Sequence, residues 1–326
     1  MEFILPFQIT PAQDKISYHQ KIFFIGSCFT EEIYNNLKSL KFDVLKNPNG
    51  ILYDARSIAY ALNSYIENKH YVAQNLFLQD ELWHSWQHHS FFSGIKKDEV
   101  LATINESQSK ANAFLQNASW LIITLGSSYS YQLKETHEYV ANCHKAPASL
   151  FDKKLAVIED TKSEISHAIQ NIKVFNPGIK IILTISPVRH IKDGIIENNR
   201  SKARLIELAH SVSEEIENVF YFPAYELVID VLRDYRFYKS DMMHPNEIAV
   251  NYVLEKFCDT YLDQSSKKLI KELKTLLSAM NHKPFQKETI AHGKFMQAQY
   301  EIAEKIYRDN PHIDLSKEMD YFSDYG

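Results

Sequence analysis

The sequence predicts an α/β domain built on a parallel sheet covered by helices on both faces. Three observations predict it. The apolar runs at 22–25, 120–125 and 180–185 show almost no polar alternation, the pattern of strands buried on both faces. Stretches of helical periodicity separate them at the spacing of strand–helix–strand units. Each run stops at small or turn-forming residues: Gly26-Ser27-Cys28, Gly126-Ser127-Ser128 and Ser186-Pro187. In such sheets the chemistry sits at the carboxyl ends of the strands, so these three ends are expected to gather at one edge.

The elements follow in order. Residues 1–20 form a polar lead-in. The strand at 22–25 precedes an amphipathic helix at 30–40, with Thr30 as the expected N-cap and Glu31 and Glu32 in its first turn. A short strand is expected within 41–45, then a turn at Asn47-Pro48-Asn49-Gly50, then a helix at 56–66 capped by Asp54. Residues 70–95 are irregular and predict a loop or small hairpin. A polar helix at 97–117 leads into the strand at 120–125. Alternation at 129–132 and 138–141 predicts a hairpin insertion, and a helix is expected at 155–174, stopped by Asn176-Pro177-Gly178. The strand at 180–185 is followed by a helix at 198–216, a strand at 219–222, a helical stretch at 225–232 and a final domain helix at 247–262. Beyond residue 262 the pattern changes to polar helices at about 266–280 and 287–307 and an acidic tail at 309–326. The expected division is therefore a domain at 1–262 and a C-terminal helical extension at 263–326.

Composition narrows the function classes. A chain of 326 residues with 45% hydrophobic residues can bury a sizeable core. A net charge of −5 argues against a nucleic-acid partner, which needs a basic face. No apolar run is long enough to span a bilayer, so no membrane partner is expected. The start of the chain lacks the basic and apolar regions of a secretory signal. Cys28, Cys143 and Cys258 lie far apart without a C-x-x-C pair, which argues against a zinc ribbon or dithiol motif and fits a reducing, cytoplasmic setting. His84 and His88 would pair on a helix, but no third ligand lies nearby, so no metal and no cofactor are expected. The sequence carries no signal for an oligomeric state.

Gly26-Ser27-Cys28 is the candidate centre. A strand that ends on glycine and sets nucleophiles at a helix start offers free N–H groups and a positive dipole end to a developing anion. The blocks I-G-S-C-F at 25–29, N-P-N-G-I-L-Y at 47–53, V-A-N-C-H-K at 140–145 and S-P-V-R-H at 186–190 resemble the GSCFA-domain family, an offshoot of the SGNH (GDSL-type) hydrolases. N-N-R-S-K-A at 198–203, Y-F-P-A-Y-E at 221–226 and R-D-Y-R-F-Y-K-S-D-M-M-H-P at 233–245 continue the resemblance over roughly residues 20–262. It implies a flavodoxin-like three-layer α/β/α fold and hydrolysis or transfer of an ester-linked acyl group, with a small-molecule or carbohydrate acyl ester as substrate.

Laid on the superfamily's G-D-S pattern, Gly26 matches the glycine, Ser27 the aspartate and Cys28 the nucleophilic serine. Cys28 is thus the first expected nucleophile, and a one-residue shift keeps Ser27 as the other. Asp241 and His244 match the D-x-x-H block, which implies His244 as base and Asp241 as its orienter. Gly50 matches the oxyanion-loop glycine. Gly126 and Ser128 occupy the G-x-N block with serine where asparagine is expected; Asn142 is the alternative donor. His144, Arg189 and His190 are candidate substrate contacts. The missing aspartate and asparagine keep a second class open, a catalytically silent domain that binds a glycan or a protein. A thiol redox role for Cys28 is a third.

Overall fold

The computed structural model describes residues 6–282, 284–286 and 288–323. In chain order the elements are β1 (Ile22–Gly26), α1 (Cys28–Ser39), β2 (Val44–Lys46), α2 (Ala55–Ile66), β3 (Phe77–Gln79), β4 (Leu82–His84), α3 (Lys97–Gln116), β5 (Trp120–Leu125), β6 (Tyr129–Leu133), β7 (Tyr139–Val140) and β8 (Phe151–Leu155). Then follow α4 (Ile158–Phe175), β9 (Lys180–Ile185), α5 (Ile195–Glu215), β10 (Val219–Phe222), α6 (Ala224–Glu226), α7 (Glu247–Tyr261), α8 (Gln264–Asn281), α9 (Ile290–Asp309) and α10 (Ser316–Ser323).

One compact unit takes in Lys21–Asn35 and Val44–Lys256. At its centre five parallel strands run in the order β2-β1-β5-β9-β10. Counting only these strands, the order is 2-1-3-4-5, the flavodoxin-like arrangement, with its switch point between β1 and β5. The register pairs Gly26 with Thr124 and Thr124 with Thr184, so the ends of β1, β5 and β9 lie level. The expected gathering of the three strand ends follows from this register. Alternate residues of the strands (Phe23, Ile25, Leu121, Ile123, Ile181, Leu183) join side chains of α2, α3, α4 and α5 in one core. On the opposite face Phe24 meets Tyr34 of α1 edge to face. Sheet residues enclosed on both sides explain the unbroken apolar runs.

Several local outcomes differ from expectation. α1 begins at Cys28, two residues before Thr30, because the Thr30 N–H donates to the Ser27 carbonyl at 2.9 Å. Ser27, not Thr30, holds the N-cap position, and Cys28 is the first helical residue. Gly26 makes this abrupt start possible: its φ is +136°, and a Cβ there would lie 2.1 Å from the Thr124 carbonyl oxygen. Asp54 caps α2 as expected, accepting from the Ser57 N–H at 3.1 Å. The helix expected from residue 155 begins at Ile158, because residues 151–155 pair with β6 as a third strand of the insertion. The stretch 227–232 is helical as expected and winds as a π-helix. His84 lies on β4, so it and His88 do not share a helix face.

A second compact unit comprises Thr10–Gln20, Asn36–Asp43 and the chain from Phe257 onward. It thus draws in two segments that lie early in the sequence. Ile16 bridges to Leu262, and Tyr18 stacks on Phe42 with ring centres 4.0 Å apart. Leu269, Leu273, Leu276, Met296, Ala303 and Ile306 form the buried faces of α8 and α9. α10 forms within the acidic tail, and its Glu318 is almost wholly buried against Lys41 at 2.8 Å. The first five residues of the lead-in, where a secretory signal was sought, residue 287 of the expected second C-terminal helix and the last three of the tail lie outside the described residues. Among the described residues no helix is long and apolar enough to cross a membrane.

Candidate active site

The site is built from three strand ends. β1 stops at Gly26, whose N–H donates to Asn47 Oδ1 at 2.8 Å. The carbonyl of Gly26 accepts from Leu52 at 3.0 Å, so the 47–54 loop crosses the end of β1. That loop is tied to the end of β5 as well: the N–H groups of Gly126 and Ser127 both donate to the Tyr53 carbonyl, at 2.8 and 2.9 Å.

The two expected nucleophiles stand in different surroundings. Ser27 is fully buried, and its Oγ has no hydrogen-bond partner among the described residues. Cys28 is partly exposed at the head of α1. Burial pushes its thiol pKa up; the Lys202 ammonium and the N–H groups of Cys28 and Phe29 pull it down, and Glu31 raises it. Burial is the largest of these, so the thiol stands above its ordinary value, while the opposing charge and the helix-start amides work toward the thiolate.

Asp241 and His244 are brought together in the loop before α7. His244 Nδ1 lies 2.6 Å from Asp241 Oδ2, while Oδ1 accepts from the N–H groups of Met243 and His244 at 2.9 and 3.0 Å. These bonds hold the Asp241 carboxyl down at about 2, the His244 and Met243 amides contributing most. The ring is therefore anchored through Nδ1, which leaves Nε2 as its working nitrogen. His244 makes its hydrogen bond to Asp241, and neither Ser27 Oγ nor Cys28 Sγ is bonded to it. The loop is fastened at both sides: Lys239 reaches Glu32 of α1 at 3.0 Å, and the Arg189 N–H donates to the Met243 carbonyl at 3.2 Å.

The expected oxyanion donors are largely engaged. The Gly50 N–H donates to the Asn47 carbonyl at 2.7 Å, closing the turn. Gly126 spends its N–H on Tyr53. Ser128 donates its hydroxyl to the Ser201 carbonyl and its N–H to Ser201 Oγ, both at 2.7 Å. In all three the donor is taken up by a turn, loop or helix next to it. Asn142 accepts from the His144 N–H through Oδ1, which leaves its Nδ2 to donate.

The substrate-contact candidates also separate. His144 bonds Ser90 Oγ through Nδ1 and the Ser85 carbonyl through Nε2, so it holds the insertion together rather than meeting a ligand. Arg189 lies over the Tyr238 ring at 4.2 Å and reaches the Met242 carbonyl at 3.4 Å, bracing the Asp241–His244 loop. His190 stands edge-on to Tyr53 with ring centres 5.2 Å apart, and its Nε2 has no partner among the described residues. Burial, then the nearby charges of Lys202 and His244, lower its pKa to about 4. Asn142 and His190 line a cavity of about 290 Å³ together with Tyr53, Tyr131, Cys143 and Ser201.

One residue at this site went unread in the sequence. Lys202 of α5 is buried, and its Nζ donates to the carbonyls of Gly126 and Ser186 at 2.7 Å each. Desolvation lowers its pKa to about 7, against a raising effect of Cys28. The signal was available: Lys202 falls on the same helix stripe as Ser201, Leu205, Leu208, Ala209 and Val212, all of them buried. A lysine inside such a stripe needs acceptors within the fold.

Among solved structures, the chain is similar to a carbohydrate esterase family 3 protein from Talaromyces cellulolyticus (TM-score 0.36, 10% identity, covering 78% of this chain and 99% of that one). It is also similar to an acetyl xylan esterase from the rumen bacterium Butyrivibrio proteoclasticus (TM-score 0.33, 12% identity, covering 82% of this chain and 66% of that one). No curated protein matches the sequence. Residues 273–325 match the C-terminal domain of GSCFA domain proteins. Residues 21–257, the span that holds every residue of the site, match the GSCFA family, and the chain belongs to that family.

Proposed function

We propose that the chain is a hydrolase acting on ester bonds, with Cys28 as nucleophile, His244 as general base and acid, and Asp241 as the orienter of His244. The thiol proton passes to His244 Nε2 as sulfur attacks the acyl carbonyl carbon and the carbonyl electron pair moves to oxygen. Collapse of this intermediate breaks the ester C–O bond, and His244 returns the proton to the leaving alcohol. Water then cleaves the thioester by the same route, and an alcohol in its place gives acyl transfer. The anchored pair Asp241–His244, with its 2.6 Å contact, is the observation that carries the reading. It supplies the tautomer control that such a base requires. The enclosure of Ser27 favours Cys28 over it. The N–H at the head of α1 and Asn142 Nδ2 are the proposed oxyanion donors. The likeness to SGNH hydrolases read from the sequence favours a small-molecule or carbohydrate acyl ester.

The test is turnover of p-nitrophenyl acetate by the wild type and three variants. Cys28→Ser and His244→Ala are expected to lower kcat at least about 100-fold, the usual contribution of nucleophile and base. Ser27→Ala is expected to keep the activity. Turnover that survives all three changes would sink the assignment. A second reading, a silent domain that binds a glycan or protein, is favoured by the engagement of Gly50, Gly126 and Ser128. It predicts no turnover of any acyl ester.

A further inference from the structure

We propose that Lys202 is the positioning residue for the nucleophile: held on the carbonyls at the ends of β5 and β9, its buried ammonium supplies the positive charge that favours the thiolate of Cys28. The inference rests on the reading of Cys28 as nucleophile. Its basis is geometric. The two acceptors of Nζ, Gly126 O and Ser186 O, belong to the residues that directly follow β5 and β9. They place the charge beside the switch point, where β1 ends at Gly26 paired with Thr124 and the chain turns directly into α1 at Cys28. A Cβ on Gly126 would lie 3.2 Å from Ser27 Cβ, so this strand end is in contact with the start of α1.

Two carbonyls take two of the three N–H bonds of an ammonium. The third, together with the whole charge, is matched by no carboxylate among the described residues. A buried cation without a counter-ion is costly, and a thiolate nearby is the group that lowers that cost. The influence runs both ways: Lys202 draws the thiol toward ionisation, and Cys28 favours the charged lysine. The other charged group acting on the thiol is Glu31 on α1, and the thiol in turn raises Tyr53 of the 47–54 loop. His190, beyond the end of β9, is acted on by both Lys202 and His244. When His244 takes the thiol proton, the S–H bond breaks, its electron pair stays on sulfur, and Lys202 keeps all its protons.

The experiment measures iodoacetamide alkylation of Cys28 against pH, read at the Cys28 peptide by mass spectrometry so that Cys143 and Cys258 do not contribute. Lys202→Met is expected to move the midpoint up by about one unit or more and to slow alkylation at pH 7 about tenfold. Lys202→Arg, which keeps the charge, is expected to hold the midpoint near that of the wild type. An unchanged midpoint in folded Lys202→Met would overturn the proposal. Should Lys202→Met fail to fold, NMR titration of the lysine side chains in wild type and Cys28→Ala decides. Loss of the thiol is expected to lower the Lys202 midpoint, and identical titrations would overturn the proposal equally. Neither readout uses ester turnover, so an inactive wild type with a Lys202-dependent thiol removes the esterase reading alone.

Discussion

At Ser27 the hydroxyl is enclosed without a partner among the described residues, whereas the adjoining Cys28 is partly exposed. A buried unpaired hydroxyl costs about 1–3 kcal/mol, so Ser27→Ala is expected to be neutral or stabilising in urea denaturation. A loss of more than about 1 kcal/mol would show that the hydroxyl has a structural partner. Asp241 works differently, since its two oxygens accept three hydrogen bonds within one turn. Asp241→Asn keeps the shape but turns the Nδ1–H of His244 against an amide donor. It is expected to lower kcat about 10²- to 10⁴-fold with little change in KM. Because the Asp241 carboxyl stays ionised down to about pH 2, the acid limb of the activity profile is assigned to another group. Wild type and Asp241→Asn sharing one kcat would refute the orienting role.

At the scale of elements, the 238–246 loop carries His244, the proposed base, and Arg189, beyond the end of β9, braces it. Arg189 stacks over Tyr238 and Tyr235 and donates to Met242. Arg189→Ala removes these contacts without opening the sheet. The expected result is a fall in kcat of about tenfold, in line with the cost of a misplaced catalytic group, and a melting temperature near that of the wild type. A variant with unchanged kcat would show that the loop holds itself. The elements legible in the sequence are those with unbroken apolar runs, β1, β5 and β9, and those with helical periodicity, such as α3 and α7. The strand at 151–155 was not, because F-D-K-K-L has one buried residue and gains its strand character only by pairing with β6. The start of α1 was likewise hidden. A helix beginning immediately after β1 depends on a backbone turn at Gly26 that periodicity does not record.

At the scale of the whole chain, three enclosed histidines set the response to acid. Burial lowers the pKa of His88 to about 3 and those of His144 and His190 to about 4, from 6.5. Between pH 6.5 and 4 the unfolded chain therefore binds protons that the folded chain does not. Stability is fully present above 6.5 and falls as the pH drops, by up to about 1.4 kcal/mol per pH unit for each histidine. Urea midpoints at pH 7.5 and 5 are expected to show this fall, and His88→Gln to flatten it; equal midpoints at the two pH values would contradict it. The second compact unit yields another expectation. Because Glu318 pairs with Lys41 and the buried faces of α8 and α9 lie beyond residue 262, a chain cut after residue 262 is expected to lose thermal stability and aggregate. A truncated chain that melts at the wild-type temperature would refute it.

The sequence by itself determined the sheet, the D-x-x-H block and the location of the candidate site, because buried parallel strands leave unbroken apolar runs that stop at small or turn-forming residues. It offered two adjacent candidate nucleophiles, Cys28 first by register and Ser27 by a one-residue shift, and carried no mark of which one is enclosed. Tertiary structure alone decided that Ser27 is enclosed and Cys28 partly exposed. It also engaged Gly50, Gly126 and Ser128 within the framework, and it brought Lys202 from a distant helix to the ends of β5 and β9. Hydrogen-bond partners and burial depend on residues far apart in the chain. No spacing along a single segment records them.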